Sequence, residues 1–211
     1  MQTEEQRQFR FHQMKPLKIF YCYAHEDKIL REQLENHLAT LKHSGQIVTW
    51  HDREILPGAD WTQEIFTNLN TAHIILLLVS PYFMRSDYCY GTEMRLALER
   101  HKEGNAYVIP IIMRPVEWKE TPIGVLQALP DEGKPITLWR NRDEAFQNVI
   151  QGITKVIEVF RDRKYKRFLE SLTGLCCPEC SHGNAITTAL EGNHRFIWCM
   201  YCGSNLFIED I

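Results

Sequence analysis

Short apolar segments alternate along the chain with segments whose apolar residues recur every three or four positions. The apolar segments have the length and composition of buried β-strands. They are residues 17–24, 47–50, 73–80, 107–112 and 136–139. Because strands that alternate with helices form βαβ units with right-handed crossovers, the pattern predicts an α/β fold: a doubly wound, five-stranded parallel sheet with helices on both faces.

The intervening segments carry recognisable helix starts. Asp60 with Gln63 and Asn141 with Glu144 have the spacing of capping boxes. A short polar loop after the third strand predicts a further helix that begins near Ser86 or Asp87 and ends near residue 101. The last helix is long and continues toward Leu172. Trp61 falls on the apolar stripe of its helix, which predicts a core position.

Candidate chemistry is concentrated after the third strand. Ligand crevices in open α/β sheets lie at the carboxyl ends of strands, and Ser80 marks that end here. Glu93 follows early in the next helix, and Cys89 and Tyr90 precede it by four and three residues, so the three are expected to share one helix face. The alternative interpretation of Glu93 is an ordinary solvated helix glutamate.

Three groups of motifs resemble a known family. They are IFYCYAHED at 19–27, WHD at 50–52 with PGADW at 57–61, and LLLVS at 76–80 with SDYC at 86–89 and EM at 93–94. In this order they resemble a bacterial TIR (Toll/interleukin-1 receptor/resistance) domain over residues 17–158. The resemblance implies a flavodoxin-like fold and self-association, or association with other TIR domains, through the loop around Pro57 and Gly58. It also implies possible hydrolysis or cyclisation of NAD⁺ at the nicotinamide–ribose bond.

The resemblance assigns the catalytic position to Glu93, which matches the glutamate of catalytic members. A tryptophan often lies one turn before that glutamate, and here Cys89 takes the position between Tyr88 and Tyr90. One carboxylate can suffice, because nicotinamide leaves as a neutral molecule and positive charge develops on the ribose, where a preorganised anion stabilises it. The expectation is that Glu93 stays ionised near a helix N-terminus.

The candidate NAD⁺-binding residues are drawn from the same end of the sheet. They are Tyr23, His25, Asp52, Cys89 and Tyr90. Each has an alternative structural role: Tyr23 can be an aromatic plug, His25 a surface or capping residue, and Asp52 a group that fixes the loop backbone.

The composition excludes several function classes. The sequence contains neither the GxGxxG motif of dinucleotide-binding domains nor the GxxxxGK[ST] motif of P-loop enzymes, which argues against a dehydrogenase or a P-loop enzyme. The formal net charge is −3, so a general nucleic-acid binder is not expected. Residues 1–16 are polar and the longest apolar run is far shorter than a bilayer requires. These features predict a cytoplasmic protein without a membrane partner.

The last part of the chain predicts a second, smaller domain. Two Cys-x-x-Cys pairs have the spacing of a zinc ribbon, and four thiolates would close a structural Zn²⁺ site. The predicted ligands are Cys177, Cys180, Cys199 and Cys202. Two disulfides or a redox pair are the alternatives. The predicted organisation is an extension at 1–16, the TIR domain at 17–158, a helical linker at 159–174 and the ribbon at 175–211.

The sequence leaves three functions open. The leading hypothesis is a TIR signalling or effector protein that cleaves NAD⁺ after self-assembly. The second is a non-catalytic adaptor that recruits other TIR domains. The third is a nucleic-acid-binding regulator that uses the ribbon and the basic residues between Arg161 and Arg167, although a solvated helix face is the commoner role of such a charge run.

Overall fold

The structure, a computed structural model, describes residues 15–172, 186–191, 194–199, 202 and 205–210. The chain forms two compact units, and the larger of them comprises Pro16–Val156. Among the described residues, no helix combines the length and the apolar character that crossing a lipid bilayer requires.

A parallel sheet forms the centre of the larger unit. Its strands are β1 (Leu17–Tyr23), β2 (Ile47–Trp50), β3 (Ile74–Val79) and β4 (Tyr107–Ile112), in the order β2-β1-β3-β4. All six residues of β3 are buried, as expected of a central strand that is covered on both faces. The parallel α/β sheet predicted from the sequence is therefore confirmed for four strands.

Helices connect the strands and cover the sheet. They are α1 (Lys28–His37), α2 (Ala39–His43), α3 (Trp61–Thr71), α4 (Pro81–Arg85), α5 (Met94–Lys102) and α6 (Arg142–Leu172). The side chain of Asp60 accepts a hydrogen bond from the backbone N–H of Gln63 at 3.0 Å, so the predicted cap of α3 is present.

The predicted fifth strand at 136–139 is wrong. Ile136–Leu138 forms one turn of 3-10 helix, and it follows Pro135, which has no N–H to donate to a strand ladder. The edge of β4 is met instead by Leu129. The backbone N–H of Ile112 donates to Leu129 O and that of Leu129 donates to Pro110 O, both at 2.8 Å.

Two further expectations need correction. The segment after β3 is not a loop, because Ser80 caps helix α4 by accepting from the backbone N–H of Phe83 at 3.1 Å. Trp61 is not a core residue: it is 44% exposed, whereas Ile65 and Leu69 on the same helix are buried. A side chain in the first turn of a helix has only the loop before it to cover it, which explains the exposure of Trp61.

The smaller unit contains an antiparallel sheet. Its strands are β5 (Ile186–Glu191), β6 (His194–Cys199) and β7 (Asn205–Asp210), in that order. These three strands fall within residues 175–211, the part of the chain predicted to form the ribbon. Two of the predicted zinc ligands, Cys177 and Cys180, lie outside the described residues, so the four-thiolate site stays a prediction.

Candidate functional site at the carboxyl ends of β1 and β3

A π-helix carries Cys89 and Glu93. It spans Asp87–Glu93, begins at Ser86, whose side chain accepts from the backbone N–H of Cys89 at 3.2 Å, and continues directly into α5. The backbone N–H of Met94 donates to Cys89 O, which is the i→i+5 bond of this helix type. Single π turns inside helices are frequent at functional sites, and this one keeps Cys89 and Glu93 on the same face.

Three ionisable side chains meet at this face. Cys22, near the end of β1, donates a hydrogen bond to Glu93 Oε2 at 2.6 Å. The ligand atoms of Cys22, Cys89 and Glu93 all lie within 4.8 Å of one another, and the three residues are buried. The Cys89 thiol also donates to the backbone oxygen of Tyr23 at 3.3 Å. Strand β1 and the π-helix thus bring a carboxyl group and two thiols together.

The Glu93 carboxyl is mainly neutral at pH 7 in this conformation. Burial raises its pKa to about 8, and the neighbouring Cys89 contributes, against a lowering effect of the Cys22 hydrogen bond. The expectation that Glu93 is ionised beside a helix N-terminus is therefore wrong. Glu93 follows six residues of π-helix, so the free N–H groups of a helix start are not available to it.

The two thiols differ in acidity. The hydrogen bond from Cys22 lowers the pKa of Cys89 to about 7, although burial acts in the opposite direction. Burial raises the pKa of Cys22 well above its ordinary value, with further contributions from Cys89 and Glu93. Cys89 is therefore the more acidic of the two thiols, and it ionises near neutral pH.

Tyr23 and Asp52 form a second pair at this end of the sheet. The Tyr23 hydroxyl donates to Asp52 Oδ1 at 2.8 Å, which joins the end of β1 to the turn after β2. Burial and this hydrogen bond raise the pKa of Tyr23 to about 12. The guanidinium of Arg31 lies over the tyrosine ring, 5.4 Å from its centroid. In this structure the Asp52 carboxylate thus positions the Tyr23 side chain.

The remaining candidates lie at the margin of the site. His25 is exposed and contacts Arg53, whose guanidinium lies 2.6 Å from His25 Nδ1. Tyr90 is partly buried and packs against the hydrophobic core. The structure therefore brings Tyr23, Cys89 and Glu93 together and leaves His25 on the surface.

Sequence reasoning missed Cys22. Its partners Cys89 and Glu93 lie 67 and 71 positions away in the chain, and local patterns do not register such pairs. The strand order could have indicated Cys22, because β1 and β3 are neighbouring strands and Cys22 aligns with Leu77 in their register. A cysteine near the end of β1 is therefore expected to lie close to the segment that follows β3.

Sequence reasoning also missed a buried ion pair near the site. Asp27 is fully buried, and its Oδ1 accepts from Arg114 Nε at 2.7 Å. The hydroxyl of Ser80 donates to the other carboxylate oxygen. The three residues follow β1, β4 and β3 respectively, so the network ties together three strand ends beside the candidate site.

Two basic residues of α6 within the predicted basic segment, Arg161 and Arg163, differ in exposure. Arg161 is only 2% exposed, whereas Arg163 is exposed. The Arg161 guanidinium is therefore unavailable for the phosphate contacts that a nucleic-acid-binding surface would require.

Comparison with known proteins identifies the family of the chain. Residues 19–150 match the TIR domain family. An uncharacterized protein of Sinorhizobium fredii, y4lF, is 51% identical over 135 residues, which are 64% of this chain and 42% of the relative. The chain thus corresponds to less than half of that relative's length. A crystal structure of the TIR domain of the Toll-related receptor TRR-2 from Hydra magnipapillata aligns with 64% of this chain and 97% of its own, at 23% identity and a TM-score of 0.46. Since the family match covers more than half of its residues, the chain belongs to the TIR domain family.

Proposed function

We propose that this TIR-domain signalling protein cleaves NAD⁺ at the nicotinamide–ribose bond, and that cleavage follows self-association. The observation that carries the proposal is the position of Glu93. Its carboxyl group lies at the carboxyl ends of β1 and β3, in hydrogen-bond contact with Cys22 and close to Cys89. Ligands of open α/β sheets bind at this end.

The chemistry requires little from the protein beyond one negative charge. Nicotinamide leaves with the electron pair of the glycosidic bond and becomes neutral, so no general acid is needed. A carboxylate beside the ribose stabilises the positive charge that develops on the sugar. Water then attacks the anomeric carbon, which yields ADP-ribose and releases one proton; an internal nucleophile of the substrate would give a cyclic product instead.

The described conformation represents the resting state in this proposal. Glu93 is 6% exposed and mainly protonated at pH 7, so it offers neither access nor charge. Self-association would have to move the π-helix away from the end of β1 to expose and ionise the carboxyl. Tyr23 and Asp52, which cover the adjacent strand ends, are the candidate contacts for the nucleotide in that opened state.

A non-catalytic adaptor is the second candidate, and the enclosure of Glu93 favours it. In this alternative the buried carboxyl only maintains the fold, and the exposed loop between β2 and α3 recruits other TIR domains. Leu56 in this loop is 75% exposed and Trp61 is 44% exposed, an arrangement that suits a protein interface.

Nicotinamide release by the purified full chain tests the proposal. It is measured over a protein concentration series while light scattering reports association. The proposal expects release only where the protein associates, and loss of release in Glu93→Gln. The matched control is Glu99→Gln, an exposed position on the following helix, which should retain activity. Association without release, or release that persists in Glu93→Gln, contradicts the enzymatic assignment and leaves the adaptor.

A further inference from the structure

We propose that Cys22, Cys89 and Glu93 form a Zn²⁺-binding site at the carboxyl ends of β1 and β3. Two sulfur ligands and one carboxylate oxygen are a donor set that suits this borderline-soft ion. The ion would take its ligands from two parts of the fold that are distant in sequence: the end of β1, and the π-helix after β3.

The spacing of the ligand atoms fits this assignment. All three atoms lie within 4.8 Å of one another. A tetrahedral Zn²⁺ with ordinary bond lengths places sulfur and oxygen ligands about 3.5 Å apart and two sulfurs about 3.8 Å apart. The Cys22–Glu93 pair, at 2.6 Å, would have to open by roughly 1 Å to admit the ion. Side-chain rotation can supply this without a change of fold.

The burial of the three groups provides an independent reason for a cation. Cys22 is fully enclosed, and Cys89 and Glu93 are 8% and 6% exposed. Buried charges are normally paired or bound to a metal, so a bound cation would stabilise the ionised forms of these three groups. Among the residues that the structure describes, the ion pairs do not include Glu93. A divalent cation would supply the charge that the surrounding side chains do not.

Neighbouring groups hold the ligands in place. Ser86 binds the backbone N–H of Cys89, and the π-turn bond between Met94 and Cys89 fixes the spacing of Cys89 and Glu93. Three protein ligands leave a fourth tetrahedral position for water, as in open zinc sites. The site therefore differs in kind from the closed four-cysteine site predicted for the end of the chain.

Metal binding would regulate the proposed reaction, and this consequence depends on the proposed function. A Glu93 carboxylate that is coordinated to Zn²⁺ cannot also lie beside the ribose of NAD⁺. The ion would also connect β1 to the π-helix and so oppose the opening that exposes Glu93. Zinc and NAD⁺ cleavage are then mutually exclusive.

Metal binding by the full chain, measured without NAD⁺, tests the site. The reduced protein is titrated with Zn²⁺, and bound metal per chain is compared with that of the Cys22→Ser/Cys89→Ser double variant. The wild type is expected to bind one ion more than the double variant. Glu93→Gln is expected to lower the affinity for that extra ion by at least about tenfold. Cys176→Ser is the matched control and should retain the wild-type stoichiometry.

A second measurement avoids the substitutions altogether, since the double variant can fail to fold. Wild-type protein loaded with ¹¹³Cd²⁺ is expected to show a cadmium resonance typical of mixed sulfur and oxygen ligation, distinct from that of a four-sulfur site. Equal stoichiometry in a folded double variant, or cadmium resonances from four-sulfur ligation alone, overturns the proposal.

The two proposals fail separately. Binding of the extra ion without any NAD⁺ cleavage supports the metal site and contradicts the proposed function. If NAD⁺ is cleaved and saturating Zn²⁺ leaves the rate unchanged while the extra ion is bound, the regulatory consequence is overturned.

Discussion

The thiol of Cys22 donates a hydrogen bond to the carboxyl group of Glu93 across 2.6 Å, although the two residues are 71 positions apart in the chain. The bond connects the first strand to the π-helix that follows the third. In this closed arrangement burial keeps the carboxyl mainly neutral at pH 7, although the hydrogen bond itself lowers the carboxyl pKa. The stability of the fold should therefore depend on the protonation of this one side chain.

We expect the stability of the Glu93→Gln variant, relative to that of the wild type, to increase as the pH rises. The folded-state pKa of Glu93, about 8, lies above the ordinary carboxyl value of 4.5. Between these values the folded state binds the proton that the unfolded state has released, so wild-type stability falls as pH increases. The amide of the variant does not titrate. The difference in unfolding free energy between variant and wild type should grow by up to about 1.4 kcal/mol per pH unit from pH 5 to pH 8.

Urea unfolding at pH 5, 6, 7 and 8 measures this difference. Glu99→Gln, at an exposed position on α5, is the control and should show a nearly constant difference from wild type. A Glu93→Gln difference that is flat over this range would mean that Glu93 is ionised in the folded state.

If the Glu93 carboxylate catalyses NAD⁺ cleavage, the rate of nicotinamide release should rise with pH. Only the ionised carboxyl stabilises the developing positive charge, and in the closed conformation ionisation occurs around pH 8. Association that admits water to Glu93 should move the midpoint below 8, since burial is the main cause of the raised pKa. Initial rates of the associated protein from pH 5 to 9 measure the midpoint, with Glu99→Gln as the control. A rate that is highest in acid and falls as pH rises would contradict the role of the carboxylate.

Loss of the Asp27 carboxylate should strongly destabilise the larger unit. Asp27→Ala leaves the Arg114 guanidinium and the Ser80 hydroxyl without their carboxylate partner. Removing one member of a buried pair is costly, but the Arg114 side chain is partly exposed, so we expect a loss of about 2–3 kcal/mol.

The adjacent residue offers a control for Asp27. Glu26 pairs with Arg85, and both side chains are exposed, so Glu26→Ala should change stability by less than about 1 kcal/mol. The two variants are compared by urea unfolding at neutral pH. Equal losses in both would show that the Asp27 network contributes no more than a surface ion pair.

The elements that the sequence predicts well are those governed by local pattern. The continuous apolar run at Ile74–Val79 can only be satisfied by burial on both faces, and it forms the central strand. The predictions that failed depend on contacts between residues distant in the sequence or on single backbone hydrogen bonds. Ile136–Leu138 has the composition of a strand, but the edge of β4 bonds to Leu129 instead. The π turn before Met94 depends on one backbone bond that α-helical periodicity does not indicate.

The same distinction applies to the candidate site. The position of Glu93 follows from the order of strand and helix together with the family motifs. Its protonation state does not, because that depends on burial and on the neighbouring groups Cys22 and Cys89, which come from separate parts of the chain. Sequence reasoning identified the carboxyl and misjudged its charge for this reason.

Tyr23 and Asp52 should be energetically coupled. Their hydrogen bond spans 2.8 Å and is partly buried, and bonds to a charged acceptor contribute about 1.5–3 kcal/mol. A double-mutant cycle with Tyr23→Phe and Asp52→Ala, measured by urea unfolding, should give a coupling energy of about 1–2 kcal/mol. Tyr107→Phe paired with Asp52→Ala is the control, since Tyr107 begins β4 at the opposite end of the sheet, and should give nearly none. A Tyr23–Asp52 coupling below about 0.5 kcal/mol would show that the two residues act independently.

Self-association should depend on the exposed loop between β2 and α3. Leu56 and Trp61 expose apolar surface on either side of Gly58, whose φ of +90° is a conformation that favours glycine. Replacing Leu56 and Trp61 by serine removes apolar area that an interface would bury, so we expect the associated fraction to fall at each protein concentration while the unfolding free energy changes by less than about 1 kcal/mol.

Sedimentation velocity measures the associated fraction, and urea unfolding measures the stability. Val125→Ser is the control, because Val125 is more exposed than Leu56 but lies in the segment between β4 and α6. If the loop forms the interface, Val125→Ser associates like wild type and the loop variant does not. Equal association of all three proteins would place the interface on another surface. If nicotinamide release also disappears in the loop variant while Glu93 is unchanged, assembly is required for the chemistry, because the substitutions alter no residue in contact with the carboxyl.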